Sequence, residues 1–95
     1  MAGMSFFHTV TNANTVNLNV PNNYRGVLVT VDSTGTRNGA YIIYATGGGV
    51  IGVEKILEAT GLTITKTTNN LAITSAGSTH IAIMNVSTYK VSIAS

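Results

Sequence analysis

Short runs of alternating apolar and polar residues recur along the chain, with turn-forming residues between them. The clearest run is TVNLNV, in which Val16, Leu18 and Val20 alternate with Asn17 and Asn19. Because successive residues of a strand point to opposite faces of a sheet, this period of two predicts a strand with one apolar face and one wet face. A chain dominated by such runs predicts an all-β fold.

Nine segments carry this alternation or a strand-like, β-branched composition. They are SFFHTVT, TVNLNV, GVLVTV, AYIIYAT, VIGVEKIL, LTITK, LAITS, HIAIMNVS and KVSIAS. Turns rich in Gly, Asn and Ser separate them at intervals of roughly 8–12 residues, a spacing typical of antiparallel sandwiches and barrels. We therefore predict an antiparallel β-sandwich of eight or nine short strands. No repeat or linker interrupts the pattern, so residues 1–95 are expected to form a single domain.

The segment LTITKTTNNLAITSAG joins two of these strands through a polar tip. We predict a hairpin with a four-residue tip, Thr67 to Asn70, since Asn tolerates the left-handed backbone that a tip needs. Its β-branched threonines suit a half-buried strand face. The segment is therefore predicted to be structural rather than a ligand site.

Three of the strands, GVLVTV, AYIIYAT and HIAIMNV, are apolar on both faces. An antiparallel strand of a free monomer usually has one polar face. In a two-layer domain the second apolar face needs a neighbouring subunit, so we expect a homo-oligomer. Central strands covered by loops are the alternative. The candidates for the oligomer interface or the core are Val27, Val29, Val31, Ile42, Tyr44, Ile81, Ile83 and Met84.

Composition supports an assembled or extracellular protein. Only 8% of the 95 residues are charged and 44% are hydrophobic, whereas a cytoplasmic monomer relies on surface charge for solubility. The five basic residues are scattered, so no nucleic-acid partner is expected. No apolar run approaches the roughly 20 residues that span a bilayer, so no membrane insertion is expected. The start, MAGMSFFHTV, has no visible signal peptide.

The glycine run from Gly47 to Gly52 satisfies the pattern G-x-G-x-x-G. A dinucleotide site also needs a following helix and an acidic residue about 20 positions further on. VEKILEAT has helical spacing, but Gly61 ends it early, and no Asp or Glu follows Glu58. We therefore interpret the run as a connection before a strand and expect no cofactor.

The side chains that could support catalysis are few. His8 and His80 lie in strand-like segments and could bind a metal together if their strands pair, but a zinc site normally has three or four ligands. The carboxylates are Asp32, Glu54 and Glu58, and no pattern aims them at a cleft. We expect no enzymatic activity and no metal site.

The loop from Asp32 to Gly39, DSTGTRNG, is the best binding candidate. Its acid, guanidinium, amide and hydroxyl groups, with Tyr41 just beyond, are the kinds of group that recognise sugars, and loops on a rigid framework often carry function. The candidate glycan or receptor contacts are Asp32, Arg37, Asn38 and Tyr41. The alternative is that Asn38-Gly39 forms a type I′ turn.

The order of segments from Gly26 to Ser95 resembles a known family. GVLVTVDS, the loop TGTRNGA and the strand YIIYATGGG are followed by VIGVEKILEATGLTITKTTNNLAITSAGSTHIAIMNVS. This order of valine-rich, glycine-rich and Thr/Asn-rich segments is similar to that of the small β-sandwich modules at the ends of bacteriophage tail fibres, tailspikes and head fibres.

The resemblance implies a jelly-roll-like sandwich in a homotrimer, displayed on a virion, that locks a fibre end or contacts a host-surface glycan. Its expected partners are itself, other virion proteins and cell-surface glycan, and its expected location is the virion or the extracellular space. No binding residue carries over, because the loops of such modules differ widely. The lack of a shaft indicates a fragment or a stand-alone accessory protein. A lectin-like carbohydrate-binding module or a capsid decoration protein is the alternative.

Overall fold

The computed structural model describes residues 5–94 and is all-β. No helix occurs in that range, so none of the described segments is a helix that could cross a membrane. The nine strands are β1 (Ser5–Asn12), β2 (Thr15–Asn19), β3 (Arg25–Val31), β4 (Gly39–Ala45), β5 (Ile51–Leu57), β6 (Leu62–Thr67), β7 (Asn70–Ser75), β8 (Ser78–Asn85) and β9 (Ser92–Ile93). The predicted all-β class and the predicted strand segments are thereby confirmed.

The strands form two antiparallel sheets. The five-stranded sheet has the order β1-β8-β3-β4-β5, and the four-stranded sheet has the order β6-β7-β2-β9. β1 pairs with β8 and β2 pairs with β7, so strands from the two ends of the chain lie side by side. β3 and β4, β4 and β5, and β6 and β7 are hairpin neighbours.

One hydrophobic core fills the space between the sheets. It is built from the inward residues of each strand, because the two-residue period of a strand turns every second side chain toward the opposite sheet. The fully buried apolar side chains include Leu18, Leu28, Ile43, Leu71, Ile73, Ile81 and Ile83.

A polar cluster at the core joins four segments of the chain. The buried Tyr24 hydroxyl donates a hydrogen bond to Asn85 Oδ1 at 2.6 Å. The same oxygen accepts the Val91 amide at 3.2 Å, and Asn85 Nδ2 donates to Ser5 Oγ at 3.1 Å. Burial raises the pKa of Tyr24, so its hydroxyl keeps the proton that it donates.

The hairpin tip is shorter than predicted. β6 ends at Thr67 and β7 begins at Asn70, so two residues rather than four form the tip. Asn69 takes the left-handed backbone, with φ of 57°. Its side-chain amide donates to Val20 O at 2.8 Å and to Asn22 Oδ1 at 2.9 Å. The tip is therefore fastened to the β2–β3 connection.

The glycine run forms the turn between β4 and β5. The Gly49 amide donates to Thr46 O at 3.1 Å, and Gly49 has φ of 82°. The segment after it is the strand β5, not a helix. The helix that a dinucleotide site would need is therefore missing from this part of the chain.

Candidate functional site: the outer face of the five-stranded sheet

The outer face is the side of the five-stranded sheet that points away from the four-stranded sheet. Strand register arranges its side chains in rows that cross the sheet. One row is Phe6, Met84, Val27, Ile42 and Glu54. The next is His8, Ala82, Val29, Ala40 and Leu57, followed by Val10, His80 and Val31. A last row at the other end is Arg25, Tyr44 and Gly52.

Large apolar side chains are exposed across this face. Phe6 is 80% exposed, and Val10, Val29, Val31, Ile42 and Leu57 are between 38% and 55% exposed. They belong to β1, β3, β4 and β5, so they form one area rather than scattered single residues. A contiguous apolar area of this kind marks an interaction surface on a folded protein.

The outer side of the four-stranded sheet is different. Its rows carry threonine and asparagine, such as Thr63, Thr74 and Thr15 in one row. The Thr15 and Thr74 hydroxyls lie 2.6 Å apart and hydrogen-bond across the strands. One side of the sandwich therefore presents hydroxyl and amide groups to solvent, and the other presents large apolar side chains.

The charged residues of the outer face lie toward one side. Glu54 is on β5, and the Arg25 guanidinium carbon lies 5.8 Å from the centre of the Tyr44 ring. Arg25 also donates to the Tyr24 and Ala45 carbonyl oxygens at 2.7 and 3.0 Å. These bonds hold the guanidinium at the first residue of β3, at the end of the sheet. The rows that run from Phe6 to Val27, from His8 to Val29 and from Val10 to Val31 contain no Asp, Glu, Lys or Arg.

The structure divides the predicted interface or core candidates into two groups. Ile81 and Ile83 point inward and are fully buried. The others point to the outer face: Val27, Val29, Val31, Ile42, Tyr44 and Met84. Sequence reasoning missed Phe6, Val10 and Leu57, although the alternation of SFFHTVT already places Phe6, His8 and Val10 on one side.

The loop expected to bind a ligand uses its polar groups internally. Asp32 accepts hydrogen bonds from Thr34 Oγ1 at 2.8 Å and from the Arg37 amide at 3.3 Å. The Arg37 guanidinium forms an ion pair with Asp32 at 3.0 Å, and Asn38 Oδ1 accepts the Asp32 amide at 3.1 Å. Burial alone would raise the Asp32 pKa, but these donors and the guanidinium hold that pKa below its ordinary value.

Arg37 fastens this loop to the end of the sandwich. Its Nε donates to Thr79 Oγ1 at 3.2 Å, and its guanidinium lies so close to Gly77 that a side chain there would clash. The left-handed residue of the loop is Gly35, with φ of 76°, and Gly39 already belongs to β4. The type I′ turn considered at Asn38-Gly39 is therefore wrong.

Tyr41 lies in the core rather than beside the loop as an exposed ring. It is 4% exposed, and its hydroxyl accepts the Ala59 amide at 2.9 Å. The alternation that turns Ile42 outward turns Tyr41 inward. The ring expected to stack on a sugar is thus covered, and the four glycan-contact candidates do not form one exposed surface.

An open cleft of about 320 Å³ separates the edge strands β5 and β6. Its apolar side chains come from the inward sides of the strands, and its rim carries both signs of charge. Lys55 donates to Glu58 at 2.9 Å, which raises the Lys55 pKa. The lining residues are Tyr41, Val53, Lys55, Glu58, Leu62, Ile64 and Lys66.

Comparison with known proteins gives no relative for this chain. No protein-family model, no curated protein and no solved structure matches it.

Proposed function

We propose that this protein is a non-enzymatic assembly and attachment module that associates with copies of itself through the outer face. The observation that carries the proposal is the contiguous exposed apolar area of the five-stranded sheet. Burying it against a second copy removes apolar surface from water, and each Å² so removed stabilises the complex by roughly 25 cal/mol before the costs of association.

The size of the face suits this role. Five strands of seven or eight residues, about 4.8 Å apart and rising about 3.3 Å per residue, give the face roughly 600 Å² before side-chain relief is counted. A standard stable interface buries about 800 Å² of accessible surface on each partner. In a three-fold ring each chain meets two neighbours, and the outer face offers an area of the right order for these contacts together.

A second copy is a better occupant than a charged partner. The central rows between β1 and β3 present no charged side chain, so an acidic or basic surface would lose its hydration there without compensation. The apolar face of another copy meets no such penalty. Arg25 and Glu54, at the β3–β5 side, can pair with their counterparts in a neighbouring copy.

We further propose that the assembly is a homotrimer and that it serves at a fibre or spike of a phage-like virion. The support is the sequence pattern of this chain from Gly26 to Ser95, which resembles that of small fibre-end modules. The nested pairing of β1 with β8 and of β2 with β7 is consistent with a jelly-roll-like sandwich, although β3 to β5 continue in one sheet. The low charge of the chain suits a packed particle.

Native mass tests the proposal. Multi-angle light scattering at micromolar concentration is expected to give three times the chain mass of 9.9 kDa. The variant Val29→Lys places a charge at the centre of the outer face and should give a folded monomer. The matched variant Thr65→Lys lies on the outer side of β6, in the other sheet, and should keep the native mass. A stable wild-type monomer would overturn the proposal.

Contact with a host-surface glycan is the attachment part of the proposal, and a lectin-like or capsid-decorating role is its alternative. Of the four expected contacts, only Asn38, in the Asp32 to Gly39 loop, is exposed. A glycan array probed with the assembled protein tests this part. Binding that is lost in Asn38→Ala supports it, and the absence of any bound glycan removes it while leaving self-assembly standing.

A further inference from the structure

The two histidines of the chain meet on the outer face. β1 pairs with β8 so that His8 lies opposite Ala82 and His80 lies opposite Val10, which makes the histidines diagonal neighbours. His8 Nε2 and His80 Nδ1 are 3.1 Å apart, the ring centres are 5.3 Å apart, and the ring planes differ by 23°. The rings therefore meet nitrogen to nitrogen, almost in one plane.

We propose that His8 and His80 form a two-imidazole site for a late first-row divalent metal ion such as Zn²⁺, Ni²⁺ or Cu²⁺. Imidazole nitrogens are preferred ligands of these ions. With metal–nitrogen distances of about 2.0–2.1 Å, two neighbouring ligands of a tetrahedral or square-planar ion lie roughly 2.9–3.4 Å apart. The 3.1 Å between the two nitrogens already falls in that interval.

Coordination needs a change of tautomer and a rotation of both rings, because the facing nitrogens now point at each other and must turn toward a common point beside the line that joins them. In the hydrogen-bonded pair, one of the two facing nitrogens carries a proton and donates the hydrogen bond, and the other nitrogen accepts that bond. For both to bind a metal, the donor ring must give up that proton and take one at its other nitrogen, by exchange with water. Both imidazoles then remain neutral, and His8 Nδ1 and His80 Nε2 carry the protons.

The surroundings allow an ion to enter and determine which ions fit. Both histidines are exposed in the single chain, and β1 is the edge strand at the rim of the outer face, so the site is open to solvent wherever a second copy does not cover that rim. Their row neighbours Val10, Val31 and Ala82 supply no oxygen ligand. Within residues 5–94 no third His, Cys, Asp or Glu joins the pair, so water completes the coordination. Ca²⁺ and Mg²⁺, which need several oxygen ligands, should not bind.

Calorimetric titration of the whole protein with ZnCl₂, NiCl₂ and CuCl₂ at pH 7.5 tests the site. We expect one ion per chain, with Cu²⁺ the tightest of the three, following the general order of affinities. His8→Gln and His80→Gln should each weaken binding by more than the roughly 10–100-fold that loss of a mere orienting neighbour costs. Lowering the pH to 5 should weaken it too, because protons compete for the nitrogens.

The controls separate a chelating pair from two independent histidines. If each single variant binds as tightly as the wild type, or if the double variant still binds, the proposal is wrong. NMR of the wild-type imidazole signals gives a measurement that needs no variant. Zn²⁺ should shift the signals of both rings together, and a shift of one ring alone would overturn the site. MgCl₂ at the same concentration should shift neither.

Discussion

Asp32 shows how a polar residue that resembles a binding group can serve the fold. Its side chain is 1% exposed and is held by Thr34, by the Arg37 amide and by the Arg37 guanidinium. A carboxylate with so many donors is stabilised in its charged form. In isolation, the acid, arginine and amide of this loop suggest sugar recognition, but their mutual bonds leave them little capacity to bind another molecule.

This arrangement predicts how stability depends on pH. The pKa of Asp32 is lower in the folded state than in the unfolded chain, so the unfolded state takes up the proton first as the pH falls. The stabilisation is therefore complete above the ordinary aspartate pKa of about 3.9 and is lost as the pH falls through the lower folded value. Asp32→Asn should be less stable than the wild type at pH 7, and the difference in unfolding free energy should narrow as the pH falls from about 4 to about 2. Urea unfolding of both proteins across this pH range measures the difference.

Glu58→Gln is the matched control for this experiment, since it makes the same chemical change at an exposed position after β5, where the surface ion pair with Lys55 contributes little. Its stability difference from the wild type should be small at every pH. A difference for Asp32→Asn that stays constant down to pH 2 would contradict the role assigned to the carboxylate.

At the level of elements, the β4–β5 turn and the β6–β7 hairpin tip stabilise each other. The Asn69 amide donates to Gly49 O at 3.0 Å, and the Asn69 side chain lies where a side chain on Gly49 would be. Gly49 also has a left-handed backbone, which disfavours any residue with a Cβ. Two connections that the sequence presents as separate turns thus form one packed unit.

Gly49→Ala should therefore be strongly destabilising. The left-handed backbone costs about 1–2 kcal/mol and the clash with Asn69 about 1–3 kcal/mol more, so we expect a loss of roughly 2–5 kcal/mol in urea unfolding. Gly48→Ala is the control in the same turn, because a Cβ there meets its nearest neighbour, Thr46 Oγ1, only at 3.9 Å. Equal effects of the two substitutions would show that the tip does not constrain Gly49.

The sequence predicts where the strands are better than it predicts which strands pair with one another. Alternation places strands and tells which residues share a face, as for Ile42 and Tyr41, because it follows from the geometry of a single strand. It carries no information on which strands lie side by side. The meeting of His8 with His80, and the contact of Arg37 with Thr79, depend on pairing across more than forty positions and become visible only in the fold.

At the level of the whole molecule, the two sides of the sandwich differ in kind. The four-stranded sheet shows threonine and asparagine to solvent, whereas the five-stranded sheet shows Val29, Ile42 and their apolar neighbours. A domain of this size has a limited core, so burial of a second apolar face against another copy would add substantially to its stability. Assembly and folding stability should therefore be coupled.

This coupling predicts a melting temperature that depends on protein concentration. Association that involves only the folded state stabilises it by mass action, so the wild-type melting temperature should rise as the concentration rises from 1 to 100 μM, over about two decades. Val29→Lys should melt at a temperature that is independent of concentration, because the charge it adds would have to be buried at the centre of the interface. Thr65→Lys should retain the concentration dependence of the wild type. If Val29→Lys also retains it, the copies associate through a surface other than the outer face, and the asymmetry of the sandwich has to be explained by a different partner.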